Sequence, residues 1–166
     1  MFLLRDIPTY QTLEKLSRRY KELDPSAMMT GIALLRTGSD MLVTLEKFLS
    51  PYGLSQGGYL TLIVLNRDPD EEIVPSDLAG RVGVTRATMT GLLDTLAKDG
   101  LIERIPHDGD RRQLVVRLTQ KGIERLNEVL PSIYRQITEI MVGLSEKEKE
   151  ELIRLLEKVK KGISKE

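Results

Sequence analysis

The pattern that most constrains this chain lies in residues 75–98, where two short segments with apolar stripes meet at Gly83. Within each segment, apolar side chains recur every three or four residues, which is the spacing of one helix face. Glycine adopts a positive φ at little cost, as a tight turn between two helices requires. Ser76 and Thr85 stand where side-chain caps would begin the two helices. The sequence therefore predicts a helix-turn-helix, whose second helix, ending near Lys98, would enter the DNA major groove.

Two strand-like segments follow the second helix and enclose a polar loop. Residues 101–105 and 114–118 are rich in branched apolar side chains, and in the second segment apolar residues alternate along one face. The loop between them, 106–113, contains the turn formers Pro, Asp and Gly. These features predict a β-hairpin. A hairpin directly after a helix-turn-helix is typical of a wing, a second element that reaches DNA.

The predicted wing carries basic side chains at its tip and along its strands. They are Arg111 and Arg112 in the loop, with Arg104 and Arg117 on the strands. Asp110 precedes Arg112 by two residues and is placed to hold its guanidinium extended. An arginine on a thin loop suits the narrow minor groove, whose negative potential attracts it. Residues 81–117 hold seven basic and five acidic residues, a net charge of +2, so the basic excess there is small.

The second helix presents an outer face of small or hydrogen-bonding side chains. We predict that this face reads DNA, through Thr85, Arg86, Ala87, Thr88, Thr90 and Gly91. Small side chains let the backbone approach base edges, and threonine methyls can touch thymine. The Arg86 fork on guanine would contribute about 1–3 kcal/mol of discrimination. Ser76, at the start of the first helix, is a candidate contact to the DNA backbone. The same residue types occur on solvated helices, so the hairpin that follows is what favours DNA binding.

Long amphipathic segments flank this motif. Their apolar stripes are broad for so small a chain, and exposed patches of that size mark interfaces. We therefore predict a mostly α fold with a small β-hairpin wing (α+β), in which 53–118 is the DNA-binding lobe and 9–50 and 119–163 form a homodimerisation domain. A helix begins at 9 and runs to 23, and apolar residues of the last helix point inward: Leu152, Leu155, Leu156, Val159 and Ile163. An intrachain bundle is the alternative.

Composition excludes several classes of site. With no cysteine and the single histidine His107, the chain lacks thiolate sites and multi-histidine metal sites. The segment 107–110 offers too few ligands for a metal or hydrolase centre, so we expect no enzyme, no cofactor and no metal. A membrane helix needs about 20 mostly apolar residues, and no such run is present. We expect a soluble, cytoplasmic protein that does not bind membranes.

Two stretches closely resemble the MarR family, the multiple-antibiotic-resistance regulators. They are DLAGRVGVTRATMTGLLDTLAKDGLIER, residues 77–104, and DGDRRQLVVRLTQKG, residues 108–122. The resemblance covers about 26–162 and implies a homodimeric winged-helix transcription factor on a pseudo-palindromic operator, usually a repressor. It places Arg112 on the family's minor-groove arginine and Asp110 on its supporting acid. The sequence departs from the family in two respects. Gly91 and Ala87 lack side-chain donors, and a helix precedes the family's usual first one.

The resemblance also implies a small-molecule effector, bound where the dimer helices meet the winged lobe. Candidate pocket residues for an aromatic or phenolic effector are Met28, Met29, Arg36 and Tyr59. A methionine pair on an amphipathic helix is more often part of a core. Two other functions compete with sequence-specific regulation: a winged-helix module that binds protein and never DNA, and a nonspecific architectural protein.

Overall fold

The computed structural model describes residues 6–69, 71–107, 109 and 113–163. The helices are α1 (Tyr10–Ser17), α2 (Pro25–Leu49), α3 (Gln56–Arg67), α4 (Pro75–Val82), α5 (Arg86–Lys98), α6 (Gln120–Ile140) and α7 (Glu146–Ile163), with a 3₁₀ turn at Ser50–Tyr52. The strands β1 (Ile102–Pro106) and β2 (Leu114–Leu118) form one antiparallel hairpin. This architecture confirms the predicted mostly α fold with a small hairpin. The described residues fall into two compact units, divided between Tyr59 and Leu60.

The first unit contains α1 and α2. Thr9 caps α1, and its Oγ1 accepts a hydrogen bond from the Thr12 amide at 3.2 Å. The predicted C-terminal end of this helix, residue 23, is wrong, since α1 ends at Ser17 and turns follow. Beyond Ser17 the helical hydrogen bonds give way to turns, in which the Arg19 amide donates to the Leu16 carbonyl at 2.9 Å and the Leu23 amide to the Tyr20 carbonyl at 3.1 Å. Asp24 caps α2 as predicted, and hydrogen bonds from Ser26 and Ala27 lower the pKa of its carboxyl.

The second unit begins within α3 and contains the helix-turn-helix. α4 packs against α5 through a turn at Gly83, which adopts the left-handed conformation with φ of 79°. Leu78, Met89 and Leu93 are buried between and beneath the two helices. The predicted turn residue and the predicted apolar faces are thereby confirmed.

Ser76 does not begin α4, so the predicted cap is wrong. Proline is favoured in the first helical position because its missing N–H needs no partner there. The helix accordingly begins at Pro75, and Val74 is its extended, apolar N-cap. Ser76 lies in the first turn, exposed, and its hydroxyl donates to Asp77 Oδ1 at 3.3 Å.

The hairpin pairs Ile102 with Leu118 at one end and Pro106 with Leu114 at the other. The predicted alternation does not produce one buried face, because Val115 and Val116 are both fully buried. β2 packs against both α4 and α6, whereas Leu114 at the loop end stays exposed. Ile73 adds a single antiparallel bridge to Val116.

α6 and α7 complete the chain. Both helices begin at side-chain caps: Thr119 Oγ1 accepts from the Gly122 amide at 3.1 Å, and Ser145 with Glu148 forms a capping box. α6 continues through Pro131. The prediction that the apolar residues of α7 point inward is wrong for the single chain, because α7 has no buried residue. Nothing else in the described chain covers that face. Among the residues described, no helix combines the length and apolar character needed to cross a bilayer.

Candidate nucleic-acid interface

The start of α5 fixes which side of the helix faces outward. Thr85 is its N-cap, as predicted, and its Oγ1 accepts a hydrogen bond from the Thr88 amide at 3.1 Å. The hydroxyl oxygens of Thr85 and Thr88 are 2.9 Å apart and share a second hydrogen bond. One helical turn later Met89 is buried, with 1 % of its surface exposed. The cap and the buried methionine together set the rotation of α5 about its axis.

The outer face of α5 consists of the residues predicted from the sequence. All six are exposed: Thr85, Arg86, Ala87, Thr88, Thr90 and Gly91. In an α-helix, residues four apart lie above one another, so Arg86 and Thr90 form one row and Ala87 and Gly91 its neighbour. The Arg86 guanidinium makes no hydrogen bond or ion pair with any described residue. This surface therefore offers one uncommitted cation beside small side chains, and its contact with DNA remains a prediction.

Arg104 and Arg117 form ion pairs within the fold, although the sequence predicts them among the basic residues of the wing. Arg104 Nη2 on β1 donates to Asp94 Oδ1 on α5 at 2.6 Å. Arg117 Nη2 on β2 lies 3.3 Å from Glu72 Oε1. These pairs tie the hairpin to its neighbours and partly neutralise both arginines. Asp94 is already included in the net charge of +2 counted for residues 81–117, whereas Glu72 lies outside that range, so the pairing of Glu72 with Arg117 lowers the net basic charge available to phosphates.

Glu72 contacts one residue from each side of the hairpin. Its Oε1 faces Arg117, and its Oε2 lies 3.3 Å from His107 Nε2, directly after β1. The Gly109 amide donates to His107 Nδ1 at 2.9 Å, so the neutral ring carries its proton on Nε2, toward Glu72. Arg117 Nε is buried without a hydrogen-bond partner among the described residues. This role of Glu72 could not be predicted from the sequence, because Glu72 belongs to an acidic loop far from its partners in the chain.

A second ion pair closes the segment that leads into α4. Arg81 Nη1 donates to Glu71 Oε2 at 2.6 Å, and the Arg81 hydrogen bonds lower the pKa of the Glu71 carboxyl. A carboxyl whose pKa is lower in the folded state contributes stability above its unfolded pKa, and that contribution disappears as the pH falls through the folded value.

We therefore expect the melting temperature of the wild type to exceed that of Glu71→Gln at pH 7, with the difference vanishing as the pH falls from about 5 to 3. The reason is that protonated Glu71 and glutamine are both neutral partners for Arg81. Thermal unfolding followed by circular dichroism across this pH range measures the difference. Glu103→Gln, a change on an exposed residue of β1, is the control and should show no such trend. A Glu71→Gln difference independent of pH would contradict this assignment.

The remaining predicted site residues are placed as follows. Asp110, Arg111 and Arg112 lie outside the described residues. On α2, Met28 is exposed, Met29 is half-buried, and Arg36 Nε donates to Asp40 Oδ2 at 3.0 Å. Tyr59 on α3 is buried. Within the described chain, no group of three or more His, Asp or Glu side chains is arranged to hold a metal ion.

Comparison with known proteins decides the family. A sequence profile of the MarR family matches residues 54–114, which include α3, the helix-turn-helix and β1 and end at the first residue of β2. The chain is 32 % identical over 153 residues to the HTH-type transcriptional repressor YetL of Bacillus subtilis, covering 92 % of each chain. The chain belongs to the MarR family. It is a winged-helix transcriptional regulator, as the resemblance implied.

Solved structures share the MarR fold with this chain. A mutant of MarR from E. coli complexed with operator DNA superposes with a TM-score of 0.71 at 24 % identity, covering 81 % of this chain and 95 % of that one. CouR from Rhodococcus jostii, bound to p-coumaroyl-CoA, gives a TM-score of 0.68 at 22 % identity, with coverages of 78 % and 90 %. At these identities the likeness establishes the fold.

Proposed function

We propose that this MarR-family chain is a transcriptional repressor that binds a pseudo-palindromic operator in double-stranded DNA as a homodimer. The observation that carries the proposal is the exposed outer face of α5, the second helix of a helix-turn-helix, on which Arg86 pairs with none of the described residues. A hairpin follows directly, as a winged-helix reader of DNA requires. YetL, a repressor by name, and the MarR mutant complexed with operator DNA support the same function.

The contacts are assigned by element. The outer face of α5, Thr85 to Gly91 with Met89 excluded, reads base edges in the major groove, and Ser76 contacts the DNA backbone. Arg111 and Arg112 reach the minor groove, and Asp110 supports Arg112. In this proposal 53–118 is the DNA-binding lobe, and the segments 9–50 and 119–163 form the dimer.

The homodimer is supported by the uncovered apolar face of α7. Five leucine, valine and isoleucine side chains repeat along this face at helical spacing, and each is at least 39 % exposed: Leu152, Leu155, Leu156, Val159 and Ile163. A soluble monomer rarely exposes a contiguous apolar patch of this kind. A two-fold dimer would present two copies of α5 about 34 Å apart, on successive major grooves of an inverted repeat.

We further propose that a small aromatic or phenolic effector relieves repression, with Met28, Met29, Arg36 and Tyr59 as candidate contacts. CouR, which binds p-coumaroyl-CoA, supports an effector of this chemistry. An acidic effector would compete with Asp40 for Arg36, and the buried Tyr59 ring would have to become accessible. Titration of aromatic acids into the protein–operator complex tests this part, and no change in DNA affinity with any of them would count against it.

Arg86→Ala tests the DNA-reading face. We expect operator affinity to fall about 5- to 150-fold for each half-site, because the substitution removes one bidentate arginine–guanine contact of about 1–3 kcal/mol from each half of the dimer. Arg86→Lys should recover only part of it, because lysine lacks the planar fork. Fluorescence anisotropy with an operator selected from random duplexes measures both. Arg154→Ala is the control, since Arg154 pairs with Glu151 on α7, outside the motif.

Equal operator affinity of the wild type and Arg86→Ala would contradict the assignment of this face. The competing function, a protein-binding module, predicts that no duplex is selected even at low salt, where phosphate contacts are strongest. An architectural protein would bind duplexes of any sequence alike.

A further inference from the structure

The outer face of α5 is poor in hydrogen-bond donors once its internal hydrogen bonds are counted. The Thr90 hydroxyl donates to the backbone carbonyl of Arg86 at 3.0 Å, one turn back in the helix. Its single proton is therefore committed within α5. Thr90 is exposed, and what it has left for a partner is a methyl group and an oxygen that can only accept.

The cap at the start of the helix has a similar effect. Thr85 Oγ1 already accepts from the Thr88 amide, and one of the two hydroxyl protons of Thr85 and Thr88 lies between their oxygens. At most one hydroxyl donor from this pair therefore points outward. Arg86 is the strong donor of the face.

The neighbours of Thr90 leave room for a close approach. Ala87 and Gly91 have little or no side chain, and a Cβ built at Gly91 meets no atom of the described chain within 4 Å. Glycine is unfavourable inside a helix, and the φ of Gly91 is not in the left-handed region that would require it. The fold of the chain thus supplies no reason for glycine here, whereas a surface pressed against the helix from outside supplies one.

We propose, as a deepening of the proposed function, that the Thr90 methyl group reads the 5-methyl group of a thymine in each half-site, over a close approach permitted by Ala87 and Gly91. In the major groove, thymine is distinguished from cytosine by this methyl group, which packs against apolar side-chain atoms. Specificity at that base pair then comes from the contact between the two methyl groups and from the close fit of the surfaces. Arg86, the strong hydrogen-bond donor of the face, contacts other positions of the half-site.

The test replaces single thymines of the selected operator by deoxyuridine, which removes only the 5-methyl group. One position in each half-site should lose about fourfold in affinity for the wild type, the effect of one buried methyl group. Thr90→Ser keeps the hydroxyl and removes the methyl in both subunits of the dimer, so it should lose about 16-fold, the product of the two half-sites, and no longer distinguish thymine from deoxyuridine there. Thr90→Val keeps the methyl and should retain both affinity and discrimination.

Thr95 provides the matched control. Its hydroxyl donates to the Gly91 carbonyl at 3.0 Å, as that of Thr90 does to Arg86, but Thr95 lies in the C-terminal third of α5, beyond the N-terminal residues that contact base edges. Thr95→Ser and Thr95→Val should leave operator affinity and deoxyuridine discrimination unchanged. Melting temperatures of all four variants verify that the fold is kept.

Gly91→Ala gives a second test, because it should change the melting temperature and the operator affinity in opposite directions. The melting temperature should rise by about 2–4 °C, because alanine favours the helix, while operator affinity falls about tenfold, because the added methyl holds the backbone away from the groove. A rise in melting temperature with unchanged affinity would overturn the close approach.

The proposal is overturned if no thymine position is sensitive to deoxyuridine, or if Thr90→Val loses affinity while Thr90→Ser retains it. In both cases operator binding itself persists, so the proposed function stands. If the protein selects no duplex, the proposed function and this inference fail together.

Discussion

Gly122→Ala is expected to lower the free energy of unfolding by about 3 kcal/mol or more, because the added atom has no space. A Cβ at this position would lie 2.1 Å from the Leu101 carbonyl oxygen and 3.1 Å from its carbonyl carbon. Relief would require a shift of backbone, since the nearest atoms are not the end of a flexible side chain. The first turn of α6 therefore needs glycine to lie against the residue that enters β1.

The backbone around Leu101 has little freedom to move away. The Leu101 amide donates to the Leu96 carbonyl at 2.9 Å, and its own carbonyl accepts from the Thr119 amide at 3.1 Å. The Thr119 hydroxyl donates to the Gly100 carbonyl at 2.7 Å. α5, β1 and α6 are thus joined at one point. A displacement of the backbone there would disturb α5 and the hairpin, the two elements that we propose bind DNA.

Urea unfolding at a fixed protein concentration measures the effect, because the stability of a dimer depends on concentration. Gly80→Ala is the matched control. Gly80 lies within α4, and a Cβ there meets no described atom within 4 Å, so alanine should stabilise the protein by about 0.5–1 kcal/mol. If Gly122→Ala unfolds within 1 kcal/mol of the wild type, the close contact with Leu101 is not a constraint on the fold.

Leu152→Glu combined with Leu156→Glu is expected to convert the dimer to a monomer and to weaken operator binding at least about 100-fold. The two leucines are one turn apart on α7 and are 40 % and 39 % exposed in the single chain. Burying two carboxylates in an apolar interface is unfavourable enough to dissociate it. Each monomer then binds one half-site without the second contact that the dimer provides.

Sedimentation velocity measures the mass of the variant, and anisotropy measures its DNA affinity. Lys147→Glu is the control, since it changes the charge by the same −2 but lies on the opposite side of α7 by helical geometry. The control should remain dimeric and bind normally. A double-leucine variant that sediments as a dimer and binds the operator with wild-type affinity would exclude α7 from the interface.

Local signals account for what the sequence predicted well in the fold. The caps at Thr85, Thr119 and Ser145 depend on residues within three positions, and the Gly83 turn depends on one residue. Ser76 was misassigned because Pro75 begins the helix one residue earlier. The face of α7 was misread because helical periodicity shows that a face is apolar but not which molecule covers it.

Features that depend on residues far apart in the chain could not be predicted from the sequence. Arg104 and Arg117 looked like basic residues of a wing, and only the fold brings Asp94 and Glu72 to them. The outer face of α5 was predictable because the apolar period fixes the buried side and therefore the exposed one. The hydrogen bond from the Thr90 hydroxyl to the Arg86 carbonyl was not predictable, because a threonine hydroxyl in a helix has several possible partners.

The most direct test is to select DNA duplexes from a random pool with the purified protein. Sedimentation of the complex then determines how many protein chains bind the selected site. Our account predicts an inverted repeat with half-site centres about 10 base pairs apart, occupied by two chains. Enrichment of no sequence, or of an asymmetric site occupied by a single chain, would contradict it.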